Sequence, residues 1–257
     1  MVAVLGLGEA GSAIAADLCV QGAVVRGYDP AVPAPDGVVA CQDDADACRG
    51  ASVILSLTTA HEAHAALIAA LPAVAQDAIY ADLNTSSSGL KEQLAATSGQ
   101  AGIAFADVAL MSPVPGHGLR TPMLVSGPAA AEYARVLGKL GAVVEILPGP
   151  PGAAADRKLV RSVFFKGLAA AVTESLRAAR AAGCEDWIRE NIATELAAAS
   201  AATVDRLEQG SIQHARRRAE EMAAATDLLR ELGIPPRISS ASEQWLRQLM
   251  SEQGGAG

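Results

Sequence analysis

The feature that most constrains this 257-residue chain is a glycine-rich segment at residues 6–11, between a short apolar run and an alanine-rich stretch of helical length. In such a turn the first glycine permits the tight bend, the second lets a pyrophosphate approach the backbone, and the third lets the helix pack on the strand. This context predicts a dinucleotide-binding turn, with the phosphates on free N–H groups of the helix N-terminus. Its residues are Gly6, Leu7, Gly8, Glu9, Ala10 and Gly11.

An acidic residue at the end of the second apolar run supports this prediction. Asp29 follows the glycines at the spacing of about 20 residues that a ribose-binding acid has in this motif. A carboxylate there accepts hydrogen bonds from the ribose hydroxyls and repels a 2′-phosphate, which favours NAD. Arg26 is near enough in sequence to keep NADP as the alternative.

The first 150 residues alternate between short apolar runs and alanine-rich stretches of helical length. The first four runs are rich in β-branched residues, which predicts parallel strands buried on both faces of a doubly wound α/β sheet of the Rossmann type. These runs lie at 2–5, 23–25, 52–55 and 78–81, and further strands are predicted at 103–108, 123–126 and 143–146.

The proline- and glycine-rich run at 148–152 ends this alternation and predicts a domain boundary. A dinucleotide-binding domain is expected at 1–150, and an all-α C-terminal domain at 151–257 for substrate binding and dimerisation. Apolar spacing and glycine or proline breaks predict helices at 153–182, 185–208, 212–232 and 238–250, followed by a disordered tail at 251–257.

Polar residues follow two of the predicted strands. Ligands of open parallel sheets lie beyond the carboxyl ends of the strands, so Thr58, Asn84 and Thr85 are candidates to contact the ribose and the carboxamide of the cofactor. Helix N-capping is an equally good interpretation for the neighbouring Thr59 and Ser86.

Composition excludes several other classes of protein. The net charge of −8 argues against a nucleic-acid or anionic-membrane surface, although residues 216–218 form a short basic run. No apolar stretch is long enough to span a membrane, and no charged segment precedes the first apolar run. The four cysteines lack metal or disulfide spacing, and the HxxH at 61–64 lacks a third ligand, so we expect a cytoplasmic protein without a metal.

These motifs resemble the β-hydroxyacid dehydrogenase superfamily, which contains 3-hydroxyisobutyrate and 6-phosphogluconate dehydrogenases, over nearly the whole chain. Segments 6–11 and 82–87 match its cofactor domain, and segment 152–158 is similar to the glycine-led segment before its catalytic lysine. Segments 158–167 and 216–222 resemble a subfamily whose C-terminal helical domain has no assigned function. The resemblance implies an NAD(P)-dependent oxidoreductase.

Lys158 is the candidate general acid/base, because it occupies the position of the family's catalytic lysine and follows the linker, where a cleft between the domains is expected. Arg161 and Ser162 share its helix face, and a lysine partly desolvated near Arg161 has a lowered pKa that suits proton transfer. Ser162 is a second catalytic candidate, and Arg161 and Lys166 are candidates to bind a substrate anion. The alternative is a solvated helix surface.

The family's substrate loop is altered in this chain. The usual motif DAPVSGG corresponds to residues 107–118, where the glycine pair is absent and Pro113 removes an amide donor. Ser112 and His117 remain as candidate substrate-binding residues, although His117 is also typical of an exposed loop. A small hydroxyacid is therefore not supported as the substrate.

The expected activity is hydride transfer between nicotinamide and a carbonyl or hydroxyl carbon of a small, anionic substrate. An imine or enamine reductase is the alternative enzyme, and a catalytically silent nucleotide-binding protein is the alternative outside enzymes. Since the amphipathic helices must cover their apolar faces, we expect a homodimer formed through the helical domain.

Overall fold

The computed structural model describes residues 1–254. The chain divides into two compact units between Arg161 and Ser162, inside a long helix that directly follows the proline- and glycine-rich run. The first unit is built on a sheet and the second is helical, which confirms the predicted fold class.

The first unit contains one eight-stranded sheet in the order β3-β2-β1-β4-β5-β6-β7-β8. All neighbouring strands are parallel except β6 and β7, because the segment between them carries only a 3-10 turn and no crossover helix. The sheet is therefore parallel-dominant, as predicted, with one antiparallel pairing. The strands are β1 Val2–Leu5, β2 Val25–Tyr28, β3 Val39–Ala40, β4 Val53–Ser56, β5 Ile79–Asp82, β6 Ala104–Leu110, β7 Met123–Ser126 and β8 Val144–Ile146.

Five helices cover the two faces of this sheet and bury a core on each. They are α1 Glu9–Val20, α2 Asp44–Cys48, α3 Ala63–Ala70, α4 Ser88–Gln100 and α5 Ala130–Lys139. On one face Ile14 of α1 and Tyr133 of α5 are buried, and on the other Leu67 of α3 and Leu94 of α4. Each such side chain stabilises the fold by about 1.5–3 kcal/mol relative to exposure.

A buried charge cluster joins the middle of the sheet to α4. Lys91 of α4 is fully buried, and its Nζ lies 2.7 Å from Asp82 Oδ2 and 3.1 Å from Asp107 Oδ1. The ammonium also donates to the Asp82 carbonyl oxygen at 2.7 Å. Because Asp82 and Asp107 are register partners on β5 and β6, one ammonium neutralises part of the charge of two facing carboxylates.

The same cluster anchors the first turn of the next helix, α6 Ala153–Ala181. Asp107 Oδ2 accepts hydrogen bonds from the backbone N–H groups of Gly152 and Ala155, at 2.9 and 3.1 Å. Ser126 Oγ donates to Asp107 and accepts from the Ala154 N–H at 3.0 Å. These bonds satisfy N–H groups that a helix start otherwise leaves unpaired, and they fix α6 beside the ends of β5 and β6.

The helical unit contains the remainder of α6 and four further helices. They are α7 Glu185–Ala197, α8 Ala201–Gln213, α9 Ala215–Glu231 and α10 Arg237–Gly254. The single helix predicted at 185–208 is wrong, because Ser200 caps a new helix there and forms reciprocal hydrogen bonds with Thr203. The predicted disordered tail is also wrong up to Gly254, where α10 ends, and 255–257 lie outside the described residues.

Packing within the helical unit is uneven. The Glu174 carboxylate on α6 accepts three hydrogen bonds, from the backbone N–H groups of Arg237, Ile238 and Ser239 at the start of α10. Burial raises the pKa of Glu174, but these bonds outweigh it and hold the pKa below its usual range. By contrast, α7 and α8 contain no buried residue. No helix within residues 1–254 is long and apolar enough to cross a membrane.

We expect Lys91→Met to lower the free energy of unfolding by about 3–5 kcal/mol, because it leaves two buried carboxylates without their cation. Lys139→Met, at an exposed lysine of α5, is the matched control and should change stability little. Chemical denaturation of both variants measures this difference. Equal stability of the two variants would show that the buried cluster does not hold the sheet to α4.

Candidate cofactor site

The glycine-rich turn joins β1 to α1 with the geometry that a dinucleotide requires. Gly6 has φ of +88°, and a Cβ on Gly6 or Gly11 would collide with the backbone of Leu57 or of Gly6 respectively. A Cβ on Gly8, in contrast, would meet no atom within 4 Å. The first and third glycines are thus required by packing, whereas Gly8 faces open space in which phosphates fit. Glu9 and Ala10 begin α1 at this point.

A pocket of about 500 Å³ lies at this turn. Its position is the carboxyl edge of β1, β2 and β4, where the strand order reverses direction in the sheet. Open α/β sheets bind ligands at such a switch point. The lining residues are Gly6, Gly8, Tyr28, Asp29, Pro30, Asp44, Leu57, Thr58, Thr59, Glu62, Ala65, Ala66 and Ala69.

Asp29 holds the turn in place. One carboxylate oxygen accepts from the Leu7 N–H at 2.8 Å, and the other accepts from the N–H groups of Ala31 and Val32 at 2.8 and 3.0 Å. Partial burial raises the pKa of Asp29, but the three backbone bonds outweigh it and lower the pKa. Asp29 therefore remains a carboxylate, and Leu7, whose side chain is buried, contributes to the site through its backbone.

The predicted residues after β4 and β5 meet at the same edge of the sheet, with one exception. Thr58 lines the pocket, and the side-chain amide of Asn84 donates to Thr58 Oγ1 at 3.3 Å and to Asp82 Oδ1 at 2.5 Å. Asn84 thus connects the pocket to the buried charge cluster of Lys91. Thr85 is exposed and does not line the pocket.

Arg26, the residue that kept NADP as an alternative, is engaged elsewhere. Its guanidinium donates to the Asp46 carboxylate at 2.7 Å and to the Asp46 carbonyl oxygen at 2.8 Å. Arg26 does not line the pocket, and no lysine or arginine does. Three acidic residues line it instead: Asp29, Asp44 and Glu62.

Two of these acids were missed by the sequence interpretation. Asp44 begins α2, which follows β3 along the chain. The helix contains five residues and the strand two, so both are too short to show a hydrophobic periodicity. The sequence signal that could have found α2 is Asp43, because aspartate is a preferred helix N-cap residue and the Asp43 side chain accepts a hydrogen bond from the Asp46 N–H. Glu62 precedes α3 and belongs to the HxxH segment, which was considered above as a metal site and not as part of the cofactor pocket.

The remaining candidates lie on α6. Lys158 is half-buried, one turn beyond the N–H groups bound by Asp107, and the exposed Arg161 follows on the same helix. Ser162 and the exposed Lys166 belong to the helical unit. Their catalytic and anion-binding roles remain predictions.

The two candidate substrate-binding residues of the altered loop lie in different environments. Ser112 follows β6 at the carboxyl edge of the strands, and its Oγ is buried without a hydrogen-bond partner among the described residues. His117 is exposed and precedes a 3-10 turn whose Leu119 N–H donates to Asp17, in the last turn of α1, at 2.8 Å. Neither residue lines the pocket at the glycine-rich turn, and both substrate-binding roles remain predictions.

Comparison with known proteins agrees with this geometry. The family model described as the NAD binding domain of 6-phosphogluconate dehydrogenase matches residues 1–147, more than half of the chain. A domain of unknown function (DUF1932) matches residues 179–249. A comparison with curated proteins finds no match.

Solved structures of similar fold span nearly the whole chain. A conserved hypothetical protein from Sinorhizobium meliloti 1021 is 29% identical, with 96% of this chain and 87% of that chain covered and a TM-score of 0.61. A conserved protein of unknown function, described as structurally similar to 3-hydroxyacid dehydrogenases, is 26% identical, with 98% and 97% covered and a TM-score of 0.61. The imine reductase from Myxococcus stipitatus in complex with NADP+ is 18% identical, with 98% and 94% covered and a TM-score of 0.83, and shows likeness of fold.

The chain has an NAD(P)-binding oxidoreductase fold with a helical domain of unassigned function, as the sequence resemblance implied. It belongs to the family defined by the NAD binding domain of 6-phosphogluconate dehydrogenase.

Proposed function

We propose that this protein is an NAD-dependent dehydrogenase or reductase in which Lys158 is the general acid/base for a small, anionic carbonyl or hydroxyl substrate. The observation that carries the proposal is the chain of buried polar contacts between the cofactor pocket and the start of α6. Thr58 lines the pocket and contacts Asn84, Asn84 contacts Asp82, and Lys91 joins Asp82 to Asp107.

This chain of contacts is suited to positioning Lys158. Asp107 binds the first N–H groups of α6, and Lys158 follows one turn later, so the lysine is held relative to Asn84 by hydrogen bonds to the sheet. A catalytic acid must be within hydrogen-bond reach of the atom that it protonates. A half-buried lysine on an anchored helix turn satisfies this need better than one on a mobile loop.

The proposed chemistry divides between cofactor and protein. Bound NADH supplies a hydride from its nicotinamide ring. Lys158 donates a proton to the carbonyl oxygen as the hydride reaches carbon, and it accepts that proton in the reverse direction. Ser162 assists by hydrogen bonding, Arg161 and Lys166 bind the substrate anion, and the buried hydroxyl of Ser112 supplies a polar contact beside β6.

The alternative within enzymes is an imine or enamine reductase. It is favoured by the substrate loop, where Pro113 replaces an amide donor that would bind a carboxylate, and the fold likeness to imine reductases is compatible with it. A catalytically silent nucleotide-binding protein would retain the pocket but transfer no hydride. Reaction of NADH with matched carbonyl and imine substrates distinguishes these alternatives.

We also propose a cytoplasmic homodimer formed through the helical unit. The helices α7 and α8 bury no residue in the single chain, and apolar side chains project from them and from α6. Val163, Trp187 and Val204 are 76%, 64% and 64% exposed. A two-fold partner presents the same apolar surface and covers it in a self-complementary way.

We expect Lys158→Ala to lower turnover by about 10²–10⁴-fold, the usual contribution of a general acid or base, while cofactor binding changes little. Lys158→Arg should restore little activity, because a guanidinium hardly ever releases its proton. Lys166→Ala, two turns later on the same helix, is the control and should affect mainly KM. Near-wild-type turnover in Lys158→Ala would remove Lys158 from the mechanism.

We expect NAD to bind more tightly than NADP by roughly tenfold or more, since a charge pair near a protein surface is worth about 1–4 kcal/mol at close range. The reason is the acidic lining of the pocket and the engagement of Arg26 by Asp46. Calorimetric titration of both cofactors measures the ratio. Tighter binding of NADP would contradict the assignment of Asp29 as the ribose-binding acid.

We expect sedimentation at micromolar concentration to show a dimer, and Val163→Glu with Trp187→Glu to shift it toward monomer. Charges at an apolar interface lose solvation without gaining partners. Val24→Glu changes a 59% exposed valine of the first unit and serves as the control. A monomeric wild-type protein would refute this part of the proposal.

A further inference from the structure

We infer that Asp44 is a specificity-determining residue of the cofactor pocket. Its carboxylate accepts a hydrogen bond from the adenosine half of NAD and repels the 2′-phosphate of NADP. This inference rests on the proposed function, because it concerns the same pocket, but it assigns a residue outside the glycine-rich turn and its ribose-binding acid.

Asp44 is held in the pocket by secondary structure. It is the first residue of α2, and Asp43 caps that helix by accepting from the Asp46 N–H. Burial of Ala47 and Cys48 against the sheet fixes the orientation of this short helix. The side chain of Asp44 is half-buried and lines the same pocket as Gly6, Gly8 and Asp29, whereas Asp43 is exposed.

The two pocket aspartates differ in their hydrogen bonds. Asp29 accepts three backbone N–H groups, which satisfy both of its oxygens. Within residues 1–254, no hydrogen bond or ion pair is made by the Asp44 carboxylate, although nearby Asp46 binds both Arg26 and Arg49. The Asp44 carboxylate is therefore partly desolvated and, unlike that of Asp29, has both oxygens available to the donors of a ligand.

Two acidic residues raise the negative charge at Asp44: Asp43 precedes it on the chain, and Asp29 follows β2 in the same pocket. Glu62, before α3, is a third acid of the pocket lining, and the nearby Arg26 is paired with Asp46. Burial, followed by the charges of Asp43 and Asp29, raises the pKa of Asp44 to about 6. A neutral ribose or an adenine amino group relieves this environment by hydrogen bonding, while a 2′-phosphate adds further negative charge.

Because the pKa of Asp44 is about 6, we expect the preference for NAD over NADP to depend on pH. At pH 8 Asp44 is ionised and repels the phosphate, whereas at pH 5 it is mostly protonated and the repulsion falls. Asp29 stays ionised over this range because its pKa is lowered. The 2′-phosphate of free NADP gains a proton over the same range, and this contribution is common to all variants, so the comparison of variants isolates the effect of the Asp44 side chain.

The test compares Asp44→Asn with Asp36→Asn by calorimetric titration of NAD and NADP at pH 8 and pH 5. Asp36 is exposed, does not line the pocket, and loses the same charge when substituted. At pH 8 we expect Asp44→Asn to lower the ratio of the NADP to the NAD dissociation constant by on the order of tenfold. Asp36→Asn should leave the ratio unchanged. Between pH 8 and pH 5 the ratio should fall more in wild type than in Asp44→Asn.

The outcomes separate this inference from the function on which it rests. If wild type binds NAD and the ratio of Asp44→Asn equals that of Asp36→Asn, the role of Asp44 is overturned and the proposed function stands. If wild type binds neither cofactor, both are overturned. Circular dichroism of the variants establishes that altered binding does not reflect lost structure.

Discussion

The rest of the structure depends on the ion cluster in which the fully buried Lys91 joins Asp82 to Asp107. Two carboxylates that face each other on β5 and β6 repel one another in a core, and Lys91 supplies a compensating cation from α4. Each aspartate then has oxygens available for a second task. Asp82 accepts from Asn84 at the cofactor edge, while Asp107 accepts the first N–H groups of α6. One cluster thereby positions the Asn84 amide, which contacts the pocket residue Thr58, and the helix that carries the candidate acid/base.

Three aspartates in and beside the cofactor pocket differ in their hydrogen-bond partners. Asp29 is satisfied by three backbone N–H groups and therefore shapes the turn beside the pocket. Asp46 is satisfied by Arg26, whose guanidinium does not line the pocket. Asp44 lines the same pocket with a raised pKa and no such bonds. The three aspartates therefore differ in their hydrogen-bond partners and not in residue type, and the role proposed for Asp44 rests on that difference.

Features of the fold and of the site could be predicted from the sequence where they depend on local signals, and not where they depend on distant partners. The glycine-rich turn, Asp29 and the main strands were predictable, because a strand–turn–helix motif and β-branched runs are local signals. Lys91 was not, because a lone lysine in a predicted helix gives no sign that two distant aspartates will bury it. Asp44 was missed because β3 and α2 are too short to show a hydrophobic periodicity. The helix break at Ser200 was missed because the surrounding alanines favour a continuous helix. In each of these cases the feature depends on a tertiary contact or on one helix N-cap residue.

The most direct test of the central claim, that the buried cluster holds Lys158 where hydride transfer occurs, is a crystal structure of the protein with NADH. We predict that the nicotinamide ring lies beyond the carboxyl ends of β4 and β5, beside Asn84. Lys158 Nζ should then lie within hydrogen-bond reach of the space in front of the reactive carbon, directly or through one water, at about 3–6 Å. A nicotinamide directed away from Asn84, with Lys158 beyond the reach of one bridging water, would contradict the account.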